Sequence, residues 1–270
     1  MKTKNLLILT AIFALTSSCM PDFYYQVYRT NPDEEIETKS NTLVYEDQYC
    51  KVTYNLWQQN GNIGFVFYNK TNDDLNLNLD ESFFIINEMA YPYYQNRIFG
   101  TASNFQLSSA SNYTYLDYLL NVKTNTVGAT SSSEYSVSRI ERKVLTVPSK
   151  TSIKIAEFSI NNELIRNCDL YKYPKKKEIK TAAFNKSNSP LVFSNRISYS
   201  LENSSEPIEI ENSFYVSGIT NYPENEMFDT KDEEFCGEKS VNEIRYSKEE
   251  VPNKFYIKYP AGNSFSSLKH

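Results

Sequence analysis

Residues 50–68 read Cys50-Lys51-Val52-Thr53-Tyr54-Asn55-Leu56-Trp57-Gln58-Gln59-Asn60-Gly61-Asn62-Ile63-Gly64-Phe65-Val66-Phe67-Tyr68. Cys50, Val52, Tyr54 and Leu56 fall on one face of an extended chain, with Lys51, Thr53 and Asn55 on the other. This period of two belongs to a half-buried strand. Asn60-Gly61 follows, and a second apolar run returns from Ile63 to Tyr68. Asn-Gly between two such runs is the strongest short-range hairpin signal, because both turn residues adopt positive φ in the favoured turn. The stretch predicts an antiparallel hairpin whose inward face already holds a cysteine and aromatic rings.

The same grammar extends outward. Asp74-Leu75-Asn76-Leu77-Asn78-Leu79-Asp80 alternates without a break, which predicts a strand with one wet face. Its spacing of acids and amides is superficially that of a calcium loop. Such a loop needs Gly at the sixth position and Glu at the twelfth, where this chain has Leu79 and Ile85. Phe83 to Ile86, Asn87-Glu88 and Met89 to Tyr91 predict a second hairpin. Strands begin at Leu43-Val44-Tyr45 and resume at Val144 to Val147. They turn at Pro148-Ser149 and continue through Ile153, Ile155 and Phe158. Further candidates are Leu191 to Phe193, Ile197 to Leu201, Ile208 to Ile210, Phe214 to Ile219 and Phe255 to Tyr259. Met227 to Glu250 is acidic and reads mostly as loop. Residues 101–138 form a long loop rich in Ser, Asn, Thr and Tyr, with a helical turn or two over Tyr115 to Leu120.

Composition agrees. Of 270 residues, 22 are Tyr and 16 Phe, against one Trp, one His and seven Gly. Aromatic and β-branched residues favour a pleated, half-buried surface, and Asn can supply the left-handed turn positions that Gly often fills. The expected fold is mainly β, an antiparallel, immunoglobulin-like β-sandwich, as one large or two small sandwiches behind an N-terminal signal helix. The domain reading is 1–18 signal peptide, 19–40 tether, 41–165 β-sandwich region, and 166–270 a second β-rich region or part of the same sandwich. Phe65 to Tyr94 resembles immunoglobulin-like domains in lipoproteins of Bacteroides-group bacteria, a resemblance that brings no activity with it.

The first residues carry an address. Lys2 and Lys4 precede an apolar run, Leu6 to Leu15, which is too short for a bilayer that needs ~20 residues. Thr16, Ser17 and Ser18 are small, and Cys19 follows. This segment resembles lipoprotein (type II) signal peptides, with Thr16 departing from the usual Leu. The resemblance implies that Cys19 is thioether-linked to diacylglycerol, carries acyl chains such as palmitate and becomes the new N-terminus. It places the protein in the cell envelope, lipid-anchored, most naturally at the outer membrane. Only Asp22 is acidic directly after Cys19, so the periplasmic and surface sides both stay open.

Cleavage removes Lys2 and Lys4, so a chain of net charge −5 becomes more acidic, a poor match for nucleic acid. With Cys19 acylated, Cys50, Cys168 and Cys236 remain, an odd number. Cys50 reads as a buried strand residue. Cys168 and Cys236 lie in polar contexts and form the expected disulfide. The single His270 is terminal, so no metal site and no Ser-His or Cys-His arrangement is expected, and no cofactor. Carboxylate pairs stand at Asp80/Glu81, Glu233/Glu234 and Glu249/Glu250. The basic stretch Lys172 to Lys180 reads as a solvated loop, with anionic head groups or an acidic polymer as its functional alternative.

The expected function is therefore a non-enzymatic binding or scaffold module that meets an envelope protein or a glycan. Tyr91, Tyr93, Tyr94, Tyr113 and Tyr115 are the candidate contact residues, since Tyr offers large contact area at low entropic cost. The alternative is a carbohydrate-processing enzyme using paired carboxylates across a cleft.

Overall fold

The computed structural model describes residues 21–101 and 137–262, apart from 203 and 205. In chain order the strands are β1 (Phe23–Pro32), β2 (Glu37–Lys39), β3 (Thr42–Glu46), β4 (Cys50–Tyr54), β5 (Phe65–Asn69), β6 (Leu75–Ile86), β7 (Met89–Pro92), β8 (Ile98–Thr101) and β9 (Val137–Ile140). They continue with β10 (Val144–Val147), β11 (Ser152–Ile155), β12 (Thr181–Ala183), β13 (Val192–Leu201), β14 (Ile208–Pro223), β15 (Phe228–Phe235), β16 (Glu238–Ser247) and β17 (Lys254–Pro260). One short α-helical turn, Glu224–Met227, separates β14 from β15.

The fold is mainly β. The larger sheet runs β10-β6-β13-β14-β1-β17, with β7 beside β6 and β12 beside β14. The smaller runs β11-β5-β4-β3-β2, and β8-β9 and β15-β16 are separate two-stranded ladders. The two large sheets face each other as a sandwich. Tyr54 meets Phe214 edge-on at 5.4 Å, and Phe67 meets Tyr199 at 5.4 Å. Strands of both chain halves share the larger sheet, and one core cluster gathers Leu43, Val52 and Phe67 with Leu77, Ile197 and Phe255.

The alternation read from the sequence is the alternation of burial. Cys50, Val52, Tyr54, Phe65 and Phe67 are buried, as are Leu75, Leu77 and Leu79. β4 and β5 pair from Cys50 opposite Asn69 to Tyr54 opposite Phe65. Asn60 and Gly61 do have positive φ, 67° and 71°, yet they sit inside a connection spanning 55–64 rather than directly between the strands. That connection is held against β17, with Asn60 N–H donating to the Tyr256 carbonyl at 2.7 Å. The β6–β7 turn is the tighter one. Asn87 and Glu88, at φ 44° and 69°, join Ile86 to its partner Met89.

Three expectations need correction. The tether over 19–40 gives way at Phe23 to β1, which is paired on both sides, to β14 and β17. Tyr24, Gln26, Tyr28 and Thr30 are buried on one face, and Tyr25 and Val27 on the other. Met227 to Glu250 is not mostly loop but the β15–β16 hairpin. Its base is fixed by Phe228 against Tyr25 at 4.9 Å and by Arg245 donating to Glu224 at 2.5 Å. Beyond that base nearly all of its side chains are exposed. Val144–Val147 and Ser152–Ile155 form strands on either side of the expected turn and belong to different sheets. β10 joins β6 in the larger sheet and β11 joins β5 in the smaller, so Pro148 begins a corner between sheets.

The third correction is the disulfide. Cys168 and Cys236 are free and exposed. Cys236 occupies the tip of the β15–β16 hairpin at φ 51°, carried about 25 Å from the hairpin base by eight extended residues. Cys168 belongs to the segment after β11 that lies along β1 and β14. That segment is tied down by Gln26 Nε2 donating to the Ile165 carbonyl (3.0 Å) and Asn221 Nδ2 to the Tyr171 carbonyl (2.8 Å). Cys50 is buried as expected, and burial, helped by Asp47, pushes its thiol pKa up.

Candidate functional site

Where β1 ends, the larger sheet opens. Pro32 is the last β1 residue in the ladder, opposite Phe214, and proline at a strand end is consistent with its missing N–H. Asp33 N–H donates to the Ser213 carbonyl at 2.9 Å, and Ile36 N–H closes a turn onto the Asp33 carbonyl at 3.1 Å. The turn carries the chain across the sandwich to β2. Ile36 is buried, while Glu34 and Glu35 are exposed.

A cavity of about 570 Å³ lies against this turn, lined by Asp33, Glu34, Glu35, Lys186, Glu211 and Asn212, with Pro32, Ile36 and Tyr215 completing the wall. Its electrostatics are uneven. Lys186 Nζ sits 2.9 Å from Asp33 Oδ1, and this hydrogen bond and charge hold the lysine pKa above its ordinary value. Glu211 is engaged by Arg196 at 3.1 Å and accepts from Ser194 Oγ at 3.0 Å. Glu34 and Glu35 have no hydrogen-bond or ion-pair partner among the described residues.

Asn212 differs from its neighbours. It faces inward from β14 and is 1% exposed. Its Oδ1 accepts from Tyr54 Oη at 2.8 Å. Its Nδ2 is the one buried side-chain nitrogen or oxygen among the described residues without a partner. The contrast with its cross-strand neighbour Asn195 is direct. Asn195 accepts from Tyr93 Oη at 2.6 Å and donates to the Ile63 carbonyl at 2.9 Å. Buried polar groups are normally satisfied, and leaving one bare costs about 1–3 kcal/mol. A cavity beside the one exception is a place where a ligand could supply the missing acceptor.

The residues singled out from sequence are dispersed. Tyr93 has no exposed surface and is a core residue, so it is withdrawn as a contact residue. Its ring packs against Phe65 at 5.6 Å and Phe158 at 5.1 Å. Tyr91 is partly exposed and packs on Phe84 and Phe158. Tyr94, also partly exposed, lies under Lys143 and donates to Asn96. Tyr113, Tyr115, Cys19 and His270 lie outside the described residues. Asp80 and Glu81 project from an irregular step of β6, where Ser198 Oγ donates to Glu81 at 2.9 Å. Glu249 is bound by Lys254 at 2.7 Å, and Glu233 and Glu234 belong to the projecting hairpin. In the basic stretch, Lys175, Lys176 and Lys177 are exposed, and Lys176 pairs with Glu226 at 3.0 Å. No group of three or more His, Cys, Asp or Glu among the described residues is arranged to hold a metal ion.

The groove itself was missed because Pro32-Asp33-Glu34-Glu35 has the composition of a solvated linker. Asn212 sits in an ordinary strand pattern, and nothing in the sequence marks its unmet donor. Searches among protein families, curated proteins and solved structures found no match to this chain, so the site is read from its own geometry.

Proposed function

We propose that this protein is a lipid-anchored module of the bacterial cell envelope that binds a protein or glycan partner without catalysing a reaction. The observation that carries the binding half is the open acidic groove at the end of β1, with the unpartnered Asn212 amide beside it. Groups that bind are held there by a rigid frame, as recognition requires. The membrane half draws on the leader, with Cys19 as the acylated residue. Only Met20, Pro21 and Asp22 separate Cys19 from β1, so the anchor joins the sandwich almost directly.

The alternative, a carbohydrate-processing enzyme, needs two available carboxyl groups across the groove. Asp33 and Glu211 are each engaged by a cation, which favours binding over acid–base work. The test is paired. Cys19→Ser should release the protein from the membrane fraction and abolish labelling by a fatty-acid analogue. Cross-linking in intact cells should capture a partner that is lost from a Glu34→Lys/Glu35→Lys variant. A mutant that still partitions with membrane refutes the anchor, and no captured partner refutes the binding module.

A further inference from the structure

β14 runs on past its neighbour. On one side it stays paired with β13 down to Ile208, opposite Tyr199. On the other, β1 stops at Pro32 opposite Phe214, and the last contact is Asp33 N–H to the Ser213 carbonyl. In an antiparallel strand the N–H and C=O of one residue point to the same side, and alternate residues point to opposite sides. Ser213 points toward β1, so Glu211 and Glu209 point the same way, and beyond Asp33 no backbone group among the described residues pairs with them. The cavity lies at this edge.

We propose that the open edge of β14 binds an extended, basic peptide segment of a partner protein by strand addition. This deepens the binding-module reading and rests on it. Strand addition uses main-chain hydrogen bonds for affinity and side-chain placement for choice. The edge offers the backbone donors and acceptors of Glu209 and Glu211. The rim offers Glu34 and Glu35, exposed and without partners among the described residues, while Asp33 and Glu211 behind them are already paired with Lys186 and Arg196. Charge complementarity therefore selects Lys- or Arg-bearing segments and rejects acidic ones. An entering peptide also brings carbonyl oxygens, the acceptor class that Asn212 Nδ2 lacks. A free edge is ordinarily a liability that proteins blunt. Here the acids that would repel a second copy of this acidic chain leave the edge open to a segment of opposite charge.

The experiment uses the mature chain carrying Cys19→Ser, purified without lipid, and fluorescent decapeptides read by anisotropy. The probes alternate Lys with Val, alternate Glu with Val, or repeat the Lys/Val sequence with every second backbone nitrogen methylated. The Lys/Val peptide should bind saturably and weaken as salt rises. The Glu/Val and methylated peptides should not bind. Glu34→Lys/Glu35→Lys should weaken binding by about tenfold or more. Glu233→Lys/Glu234→Lys, the same charge change on the β15–β16 hairpin, should leave it intact. Equal binding of the methylated peptide overturns strand addition, and equal weakening by the hairpin variant overturns the groove as its place. Binding of a neutral oligosaccharide in place of every peptide overturns the peptide while leaving a binding module standing. A cell-derived partner whose capture is unaffected by Glu34→Lys/Glu35→Lys does the same.

Discussion

The unpartnered Asn212 amide makes a quantitative prediction through a double-mutant cycle with Tyr54. Both side chains are essentially inaccessible, and Tyr54 Oη donates to Asn212 Oδ1 at 2.8 Å. Tyr54→Phe removes one hydroxyl and opens no cavity of consequence. It leaves the Asn212 amide with neither its oxygen nor its nitrogen bonded, a loss of about 1–3 kcal/mol. Asn212→Leu removes the orphan donor but strands the Tyr54 hydroxyl, a loss of about 1–2 kcal/mol. The double variant replaces both polar partners with apolar groups, and such replacements are nearly neutral, so it should fall within about 1 kcal/mol of the parent. The two single losses together should therefore exceed the double loss by about 1–5 kcal/mol.

Urea unfolding followed by the fluorescence of the single Trp57 reads all four corners. Additivity within about 0.5 kcal/mol would refute the buried hydrogen bond between Tyr54 and Asn212 as a stabilising contact. The cycle also separates stability from function. The double variant should be about as stable as the parent yet bind the Lys/Val peptide more weakly, because the donor beside the groove is gone.

Three further outcomes follow from the same structure. Glu141 anchors the base of the β8–β9 ladder, accepting from the backbone N–H groups of Gln95 and Arg97, both at 2.9 Å, and from the Arg97 guanidinium. Burial works to raise its pKa, but these bonds outweigh it and hold the carboxyl below its usual range. Its contribution is thus present above the unfolded value of about 4.3 and lost as pH falls through the lower folded value. Glu141→Gln should cost about 1.5–3 kcal/mol at neutral pH and flatten the acid limb of stability against pH, measured by urea unfolding. Gly61→Ala should cost about 2–4 kcal/mol in the same assay, since φ is 71° and the new Cβ would meet Ile160 Cδ1 at 2.7 Å and Phe255 Cγ at 2.9 Å. In the Cys19→Ser mature chain, a thiol reagent should modify Cys168 and Cys236 rapidly and Cys50 only on unfolding. The absence of any fast thiol would show the exposed pair to be bridged, and a single fast thiol would refute the exposure of the other.

Legibility followed exposure. β4, β5 and β6 each bury one face against the other sheet and wet the other, so burial prints a period of two into Cys50 to Tyr54 and Leu75 to Leu79. β1 lies between β14 and β17 and is covered on both faces, so Phe23 to Thr30 carries no alternation to read. Its buried polar residues disguise it further. Gln26 is there because it holds the Ile165 backbone, donating to the carbonyl and accepting from the N–H at 2.9 Å. β15 and β16 fail for the opposite reason. Exposed on both faces, they need no apolar period, and Asp229 to Glu234 looks like an acidic loop. The groove depends on where β1 stops relative to β14, a difference in strand length between partners far apart in sequence.

β1 ties these observations into one arrangement. Its N-terminal end, Phe23, lies beside Pro260 and under Lys258, and its other end, Pro32, opens the groove. Ten extended residues separate the two ends by about 30 Å. A flexible tether would have let the sandwich present any face to its surroundings. A central strand that starts four positions after the proposed acyl site is instead fixed within the sandwich by two ladders. An anchor at Cys19 would hold the Phe23 end toward the bilayer and carry the acidic edge to the far side, clear of the negatively charged head groups that would repel Glu34 and Glu35. The replacement of the expected tether by β1 therefore bears on the proposal: the strand that would shorten the reach of an anchor at Cys19 is the one whose far end leaves β14 unpaired.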